Sequence, residues 1–81
     1  MKFLTDGKRH LICVPFSVQN LHLMAKELDI GKHWFHGGKI PHYDIPKKRK
    51  LEIESKCELV SSRVILKIVN EHQNQTKETS S

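Results

Sequence analysis

The sequence predicts a small α/β domain with a single layer of three to four short strands and two to three helices. Short apolar runs that suit buried strands alternate with segments of helical periodicity, which indicates this class. The chain has 81 residues, enough for one domain and too few for two. Its last dozen residues are polar almost throughout. We therefore expect residues 1–69 to form the domain and residues 70–81 a disordered polar tail.

Two strands are predicted at the start of the chain, over residues 2–5 and 10–14. The dipeptide Asp6-Gly7 favours a turn between them, and Pro15 closes the second apolar run. A helix follows, with Ser17 as its N-cap and Gly31 as a left-handed C-terminal cap. Its apolar residues recur at helical spacing and predict one buried stripe: Leu21, Met24, Ala25 and Leu28.

The second half of the chain carries weaker signals. A short strand is predicted over residues 32–36 and a loop over residues 37–45, where Gly37-Gly38 frees the backbone. Pro46 favours the start of a second helix that runs to residue 56. A strand over residues 57–60 and a closing helix over 63–69 complete the prediction, although the β-branched residues of the last segment would also tolerate a strand.

The composition limits the class of protein and partner. A formal charge of +5, with six further histidines, suits an anionic partner. Cys13 and Cys57 lie in apolar runs far apart, so we expect reduced, structural thiols. The first residues turn polar too quickly for a signal peptide, and no apolar run approaches the length of a membrane span. These features predict a cytoplasmic protein with no membrane partner, and a homodimer would suit so small a core.

The start of the predicted second helix is unusually cationic. Lys47, Lys48, Arg49 and Lys50 crowd the turn where the helix dipole is positive and acidic residues are preferred. A bound anion would relieve this repulsion, because backbone N–H groups and cationic heads would point at it. The alternative is that these long side chains simply extend into water.

Polar and aromatic residues just before that turn complete a candidate ligand site. His42 and Tyr43 can donate hydrogen bonds to a phosphoryl oxygen, and Tyr43 can stack on a planar ring. Asp44 either joins the site or caps the helix. Other candidates, each with a plain structural alternative, are Trp34 (a core residue) and His22 (a surface residue of the first helix).

The order of these residues resembles a small family of bacterial and phage proteins that is described only as a domain of unknown function. The resemblance covers the chain from the first strand to about Val69, and its most specific part is His42-Tyr43-Asp44 followed by Lys48-Arg49. It implies recurring polar positions here at His22, Trp34, His36, His42, Tyr43, Asp44, Lys48 and Arg49. The chain departs from the family at Cys57-Glu58, where a glycine is usual, and at Thr5-Asp6-Gly7, where an acidic pair is common.

Three functions fit these features, and whether the chain is an enzyme stays open. The first is a binding protein for a phosphorylated or nucleotide-like ligand, of the phage accessory type that sequesters such a ligand, without a cofactor. The expected ligand-binding residues are His22, Trp34, Tyr43, Asp44, Lys47, Lys48 and Arg49. The second is a phosphodiesterase or nuclease in which His36 and His42 act as general acid and base. The third is a basic protein that docks on nucleic acid or inhibits an enzyme.

No bound metal is predicted, although the hydrolase hypothesis has a variant that uses a metal ion. His36, His42 and Asp44 offer donor types that suit a catalytic zinc or iron ion with one open position. Their spacing matches no familiar motif, and the neighbouring cations oppose a bound metal.

Overall fold

A five-stranded mixed sheet forms the centre of the protein in the computed structural model, which describes the backbone of residues 1–80 and the side chains of residues 1–73. The strands are β1 (Lys2–Thr5), β2 (His10–Val14), β3 (Phe35–His36), β4 (His42–Asp44) and β5 (Glu58–Leu59). Their order across the sheet is β3-β4-β2-β1-β5. Only β5 runs parallel to its neighbour β1; the other pairs are antiparallel. The predicted α/β class is confirmed, with more strands than predicted.

Three α-helices accompany the sheet: α1 (Val18–Leu28), α2 (Lys50–Glu54) and α3 (Ser62–Ser80). The closing segment is thus a helix and not a strand. It continues through the polar stretch after Val69, and Gln73 donates from its amide to the Lys39 carbonyl at 2.6 Å. The side chains of residues 74–81 lie outside the described part of the chain, so the disordered tail at 70–81 stays a prediction. Within the described residues, no helix combines the length and apolar character needed to cross a membrane.

Helix α1 begins as the sequence predicts. Ser17 Oγ accepts a hydrogen bond from the Asn20 N–H at 2.9 Å, and the predicted apolar stripe is buried. Its end differs, because Asp29, at a φ of 58°, takes the left-handed position that was predicted for Gly31. Aspartate tolerates this conformation better than most residues, so the helix stops before the glycine is reached.

The predicted loop over residues 37–45 ends in a strand, since His42–Asp44 pairs with β2 and with Phe35–His36. Tyr43 supplies the reason. Its ring is completely buried, and a strand is the conformation that turns it into the core while His42 and Asp44 face the other way. The predicted strand over 32–36 shrinks to Phe35–His36, because Lys32–Trp34 forms a 3₁₀ turn.

The predicted second helix is shorter and divided. A 3₁₀ turn over Lys47–Arg49 precedes α2, and no side chain caps either of them. Asp44 is therefore a strand residue and not a helix cap. The strand predicted over 57–60 contains only Glu58–Leu59.

The two larger helices lie on opposite faces of the sheet. Helix α1 contacts β2 and β4 on the face of Tyr43, where the Tyr43 hydroxyl reaches His22. On the other face, Ser62 and Ile65 of α3 line a cavity together with His10 and His42. The sheet therefore separates the polar residues of β4 into two environments.

The N-cap of α1 offers a test of local stability. We expect Ser17→Ala to lower the free energy of unfolding by about 1 kcal/mol, because the Asn20 N–H loses its acceptor. The melting temperature should fall by about 4–8 °C in a domain of this size. Ser17→Asp, which keeps an acceptor, is the matched control in a thermal melt followed by circular dichroism. Equal losses in both variants would contradict the capping role.

Candidate functional site

Four polar side chains from three strands meet on the sheet face opposite α1. His10 is registered directly across from Asp44, and His36 directly across from His42. Residues paired in this way share a face, and His42 and Asp44 share it because they are two residues apart. We call His10, His36, His42 and Asp44 the histidine–aspartate cluster.

Asp44 lies at the centre of this cluster. Its Oδ2 is 2.8 Å from His36 Nε2, and its Oδ1 is 3.2 Å from His42 Nε2. The carboxylate is 16% exposed, whereas His36 is half-exposed. The His36 and His42 rings stack with centroids 5.2 Å apart, and the His10 ring meets His42 edge-on at 5.0 Å. The sequence-predicted pair His36 and His42 is thus brought together.

The tautomer of His42 follows from its surroundings. Its Nδ1 lies 2.7 Å from the Ile40 carbonyl oxygen, which can only accept, so Nδ1 carries the hydrogen. In the neutral ring, Nε2 then presents a lone pair towards Asp44. Asp44 Oδ1 is buried and, among the described residues, has no hydrogen-bond partner. Two electron-rich atoms therefore face each other at the cluster centre.

His10 is held by a buried carboxylate that the sequence showed only as part of a turn. His10 Nδ1 bonds Asp6 Oδ2 at 2.6 Å, and the Asp6 side chain is 1% exposed. Ser62 Oγ donates to the same oxygen at 3.0 Å. Burial opposes ionisation of Asp6, but hydrogen bonds from His10, the Lys8 N–H and Ser62 outweigh it and lower its pKa to about 2. Asp6 is an ionised partner that fixes the ring of His10.

Asp6 and His10 were missed because the only sequence signals at these positions were local. Asp6-Gly7 is typical of a turn, and His10 opens an apolar strand. The four-residue spacing between them carries no recognisable pattern outside a helix, and Ser62 is distant in the chain.

Three members of the cluster could hold a metal ion. One ring nitrogen each from His10 and His42 and one oxygen of Asp44 all lie within 4.8 Å of one another. This set of donors contains His10, whereas the sequence analysis named His36 as the third donor.

A second feature adjoins the cluster, a concavity of about 370 Å³ that we call the cationic groove. Asp44, Trp34 and Ile45 form part of its wall, and its remaining lining residues are cationic: Lys8, Arg9, Lys47 and Lys50. Trp34 packs partly against the core, so one part of its indole is buried and another reaches the groove. Trp34, Asp44 and Lys47 are thus the predicted ligand residues that come together.

The other two predicted cations do not join them. Arg49 donates through its guanidinium to the carbonyls of Leu28 and Asp29, the former at 2.7 Å, and to Glu52. The bond to Glu52 raises the pKa of Arg49. Arg49 thus secures the C-terminal end of α1, and Lys48 is exposed and does not line the groove.

His22 and Tyr43 lie on the opposite face of the sheet. The Tyr43 hydroxyl and His22 Nδ1 share a hydrogen bond of 2.7 Å, and Phe35 contacts both rings. Burial raises the pKa of Tyr43. Both residues line a separate concavity beside α1, so the structure does not bring them to the cluster.

The cysteines add no nucleophile. Cys13 and Cys57 are both free, as predicted. Burial raises the pKa of each thiol to about 11, assisted at Cys57 by the charge of Glu54. Thiolates are the reactive form, so both side chains act as packing groups.

The role of Tyr43 can be tested directly. Tyr43→Phe keeps the ring and removes the hydroxyl that bonds His22, so we expect a loss of about 1 kcal/mol in the free energy of unfolding. Chemical denaturation measures it. His22→Ala alone and together with Tyr43→Phe completes a double-mutant cycle, and strictly additive losses would show that the two side chains do not interact.

No protein-family model matches this chain, and no curated protein or solved structure matches it either. The resemblance to a small bacterial and phage family therefore stays a prediction.

Proposed function

We propose that the protein binds a phosphorylated ligand with a planar ring, such as a nucleotide, in the cationic groove. The observation that carries this proposal is the convergence of four cationic side chains and the only tryptophan on one concavity. Phosphate supplies the negative charge that these side chains favour, and a base supplies a flat surface for the indole.

The charge of the groove supports an anion. Lys8 and Arg9 come from the β1–β2 turn, Lys47 comes from the 3₁₀ turn before α2, and Lys50 is the first residue of α2. Among the described residues, Lys8, Arg9 and Lys47 form no ion pair, and Lys50 only approaches Glu54 at 4.0 Å. Asp44 is the acidic residue of the groove, and its carboxylate already contacts His36 and His42. The cations are therefore available to a ligand.

The size of the groove and its aromatic wall support a small molecule. A volume of about 370 Å³ lies at the lower end of the range for small-molecule sites. Trp34 is half-buried and held by the core, so a stacked base would meet a pre-positioned surface. A protein of this kind would act by sequestering its ligand.

Hydrolysis by His36 and His42 is less well supported. A general acid or base must exchange a proton with the substrate. His42 instead directs Nδ1 at the Ile40 carbonyl and Nε2 at Asp44, and neither His42 nor His36 lines the groove. Binding therefore accounts for more of the geometry than catalysis does.

Fluorescence of Trp34 provides the test, since it is the only tryptophan. We expect a nucleoside mono-, di- or triphosphate, or a cyclic or ADP-ribose-like compound, to change the emission saturably and to raise the melting temperature. Lys47→Glu should weaken that binding at least about 10-fold, equivalent to about 1.4 kcal/mol. Lys48→Glu is the matched control, with the same charge change in the same turn but outside the groove. It should leave the affinity within about twofold.

Three outcomes would contradict the proposal. No response to any compound class would remove it, and so would equal losses in the Lys47 and Lys48 variants. A response only to oligonucleotides, with affinity falling steeply as salt rises, would instead assign the basic surface to nucleic-acid docking.

A further inference from the structure

We infer that His10, His42 and Asp44 bind one divalent transition-metal ion of the zinc type and leave one coordination position open. This inference goes beyond the proposed function and does not rest on it. It also replaces the expectation that the protein binds no metal.

The donor atoms are of the right kind and close enough. The two ring nitrogens and the carboxylate oxygen lie within 4.8 Å of one another. Bonds of 2.0–2.2 Å at tetrahedral angles place neighbouring donors about 3.3 Å apart. His42 Nε2 and Asp44 Oδ1 are already 3.2 Å apart, and the ring nitrogen of His10 lies within 4.8 Å of the other donors.

Both histidines are prepared for metal binding by partners on their other nitrogen. His10 Nδ1 bonds the Asp6 carboxylate at 2.6 Å, and His42 Nδ1 bonds the Ile40 carbonyl at 2.7 Å. In metal sites such partners fix the tautomer, orient the ring and leave Nε2 as the donor. Ser62 of α3 donates a hydrogen bond to Asp6, so α3 also helps to orient His10.

Asp44 provides the second, independent observation. Its Oδ2 contacts His36 Nε2 at 2.8 Å, whereas the buried Oδ1 has no hydrogen-bond partner among the described residues. Oδ1 faces the Nε2 of His42, whose Nδ1 carries the ring hydrogen. Lone pairs at this distance repel unless a positive charge lies between them. A metal ion supplies that charge, and a doubly protonated His42 is the alternative that the experiment must exclude.

The charge of the surroundings suits a divalent ion. The carboxylates of this region are Asp6, which is buried, and Asp44, which is mostly buried, and together they balance two positive charges when the rings are neutral. Lys8, Arg9 and Lys47 of the groove are exposed, so solvent and salt screen their repulsion. Two imidazoles and one carboxylate select a late transition metal over Mg²⁺ or Ca²⁺. With three protein donors, the fourth position is left to water or a ligand.

The primary experiment uses the whole untagged chain, purified metal-free, and titrates it with Zn²⁺ by calorimetry and with Co²⁺ by visible absorption. We expect one ion per chain and the absorption of a four- or five-coordinate Co²⁺ site. Asp44→Asn and His42→Gln should each weaken binding at least about 100-fold. His33→Gln, an exposed histidine outside the cluster, is the matched control and should leave the affinity unchanged. Circular dichroism checks that each variant is folded.

A variant of Asp6 tests whether this residue positions His10 without binding the metal itself. Asp6→Asn keeps all three donors but weakens the bond that orients His10, so affinity should fall about 10- to 100-fold while one ion per chain and the Co²⁺ spectrum are retained. In the wild-type protein, NMR should show Zn²⁺ shifting the ring signals of His10 and His42 and leaving those of His33 unchanged. This readout needs no variant to fold.

Failure of the wild-type protein to bind Zn²⁺ or Co²⁺ would overturn the inference, as would unchanged binding by Asp44→Asn. Two N–H signals on His42 in the metal-free protein, together with no effect of Zn²⁺, would assign the site to a salt bridge with Asp44. Lys47→Glu keeps its metal affinity if the two sites are independent. Failure of nucleotide binding and failure of metal binding can therefore be distinguished.

Discussion

The antiparallel pairing of β4 with β2 is the constraint on which the rest of the structure depends. This pairing sets Leu11 opposite Tyr43 and His10 opposite Asp44. Leu11 and Tyr43 pack into the core beneath α1, and His10 and Asp44 form part of the histidine–aspartate cluster. A slip of one residue would exchange the two faces, exposing the Tyr43 ring and burying Asp44 among apolar side chains. The apolar core therefore specifies the register, and the register assembles the polar site.

The sequence predicted the elements that carry strong local signals. The period of the apolar stripe and the Ser17 cap were enough for α1, and two apolar runs were enough for β1 and β2. The sequence could not predict β4, because its only apolar contribution is Tyr43 between two polar residues next to glycines and a proline. Its strand conformation comes from pairing with β2, which is remote in the chain. Likewise, Gly31 looked like the helix end only because the left-handed conformation of Asp29 has no sequence signature of comparable strength.

The candidate site was predicted in part for the same reason. His36, His42 and Asp44 are close in sequence and were grouped correctly, and Trp34 and Lys47 do reach one concavity. Arg49 could not be separated from its cationic neighbours, since its bonds to the end of α1 depend on tertiary packing. His22 and Tyr43 form a pair of their own across the sheet. His10 joins the cluster only through strand register, which composition and spacing do not reveal.

The bond between Ser62 and Asp6 joins positions 56 residues apart. It attaches the first turn of α3 to the turn after β1, close to the beginning of the chain, so most of the domain becomes one closed loop. Closing such a loop costs conformational entropy, and this partly buried hydrogen bond helps to offset that cost. The same carboxylate that orients His10 therefore also ties the two ends of the domain together. Loss of the hydrogen bond between Ser62 and Asp6 would therefore disturb the orientation of His10, although no residue of the cluster itself would have changed.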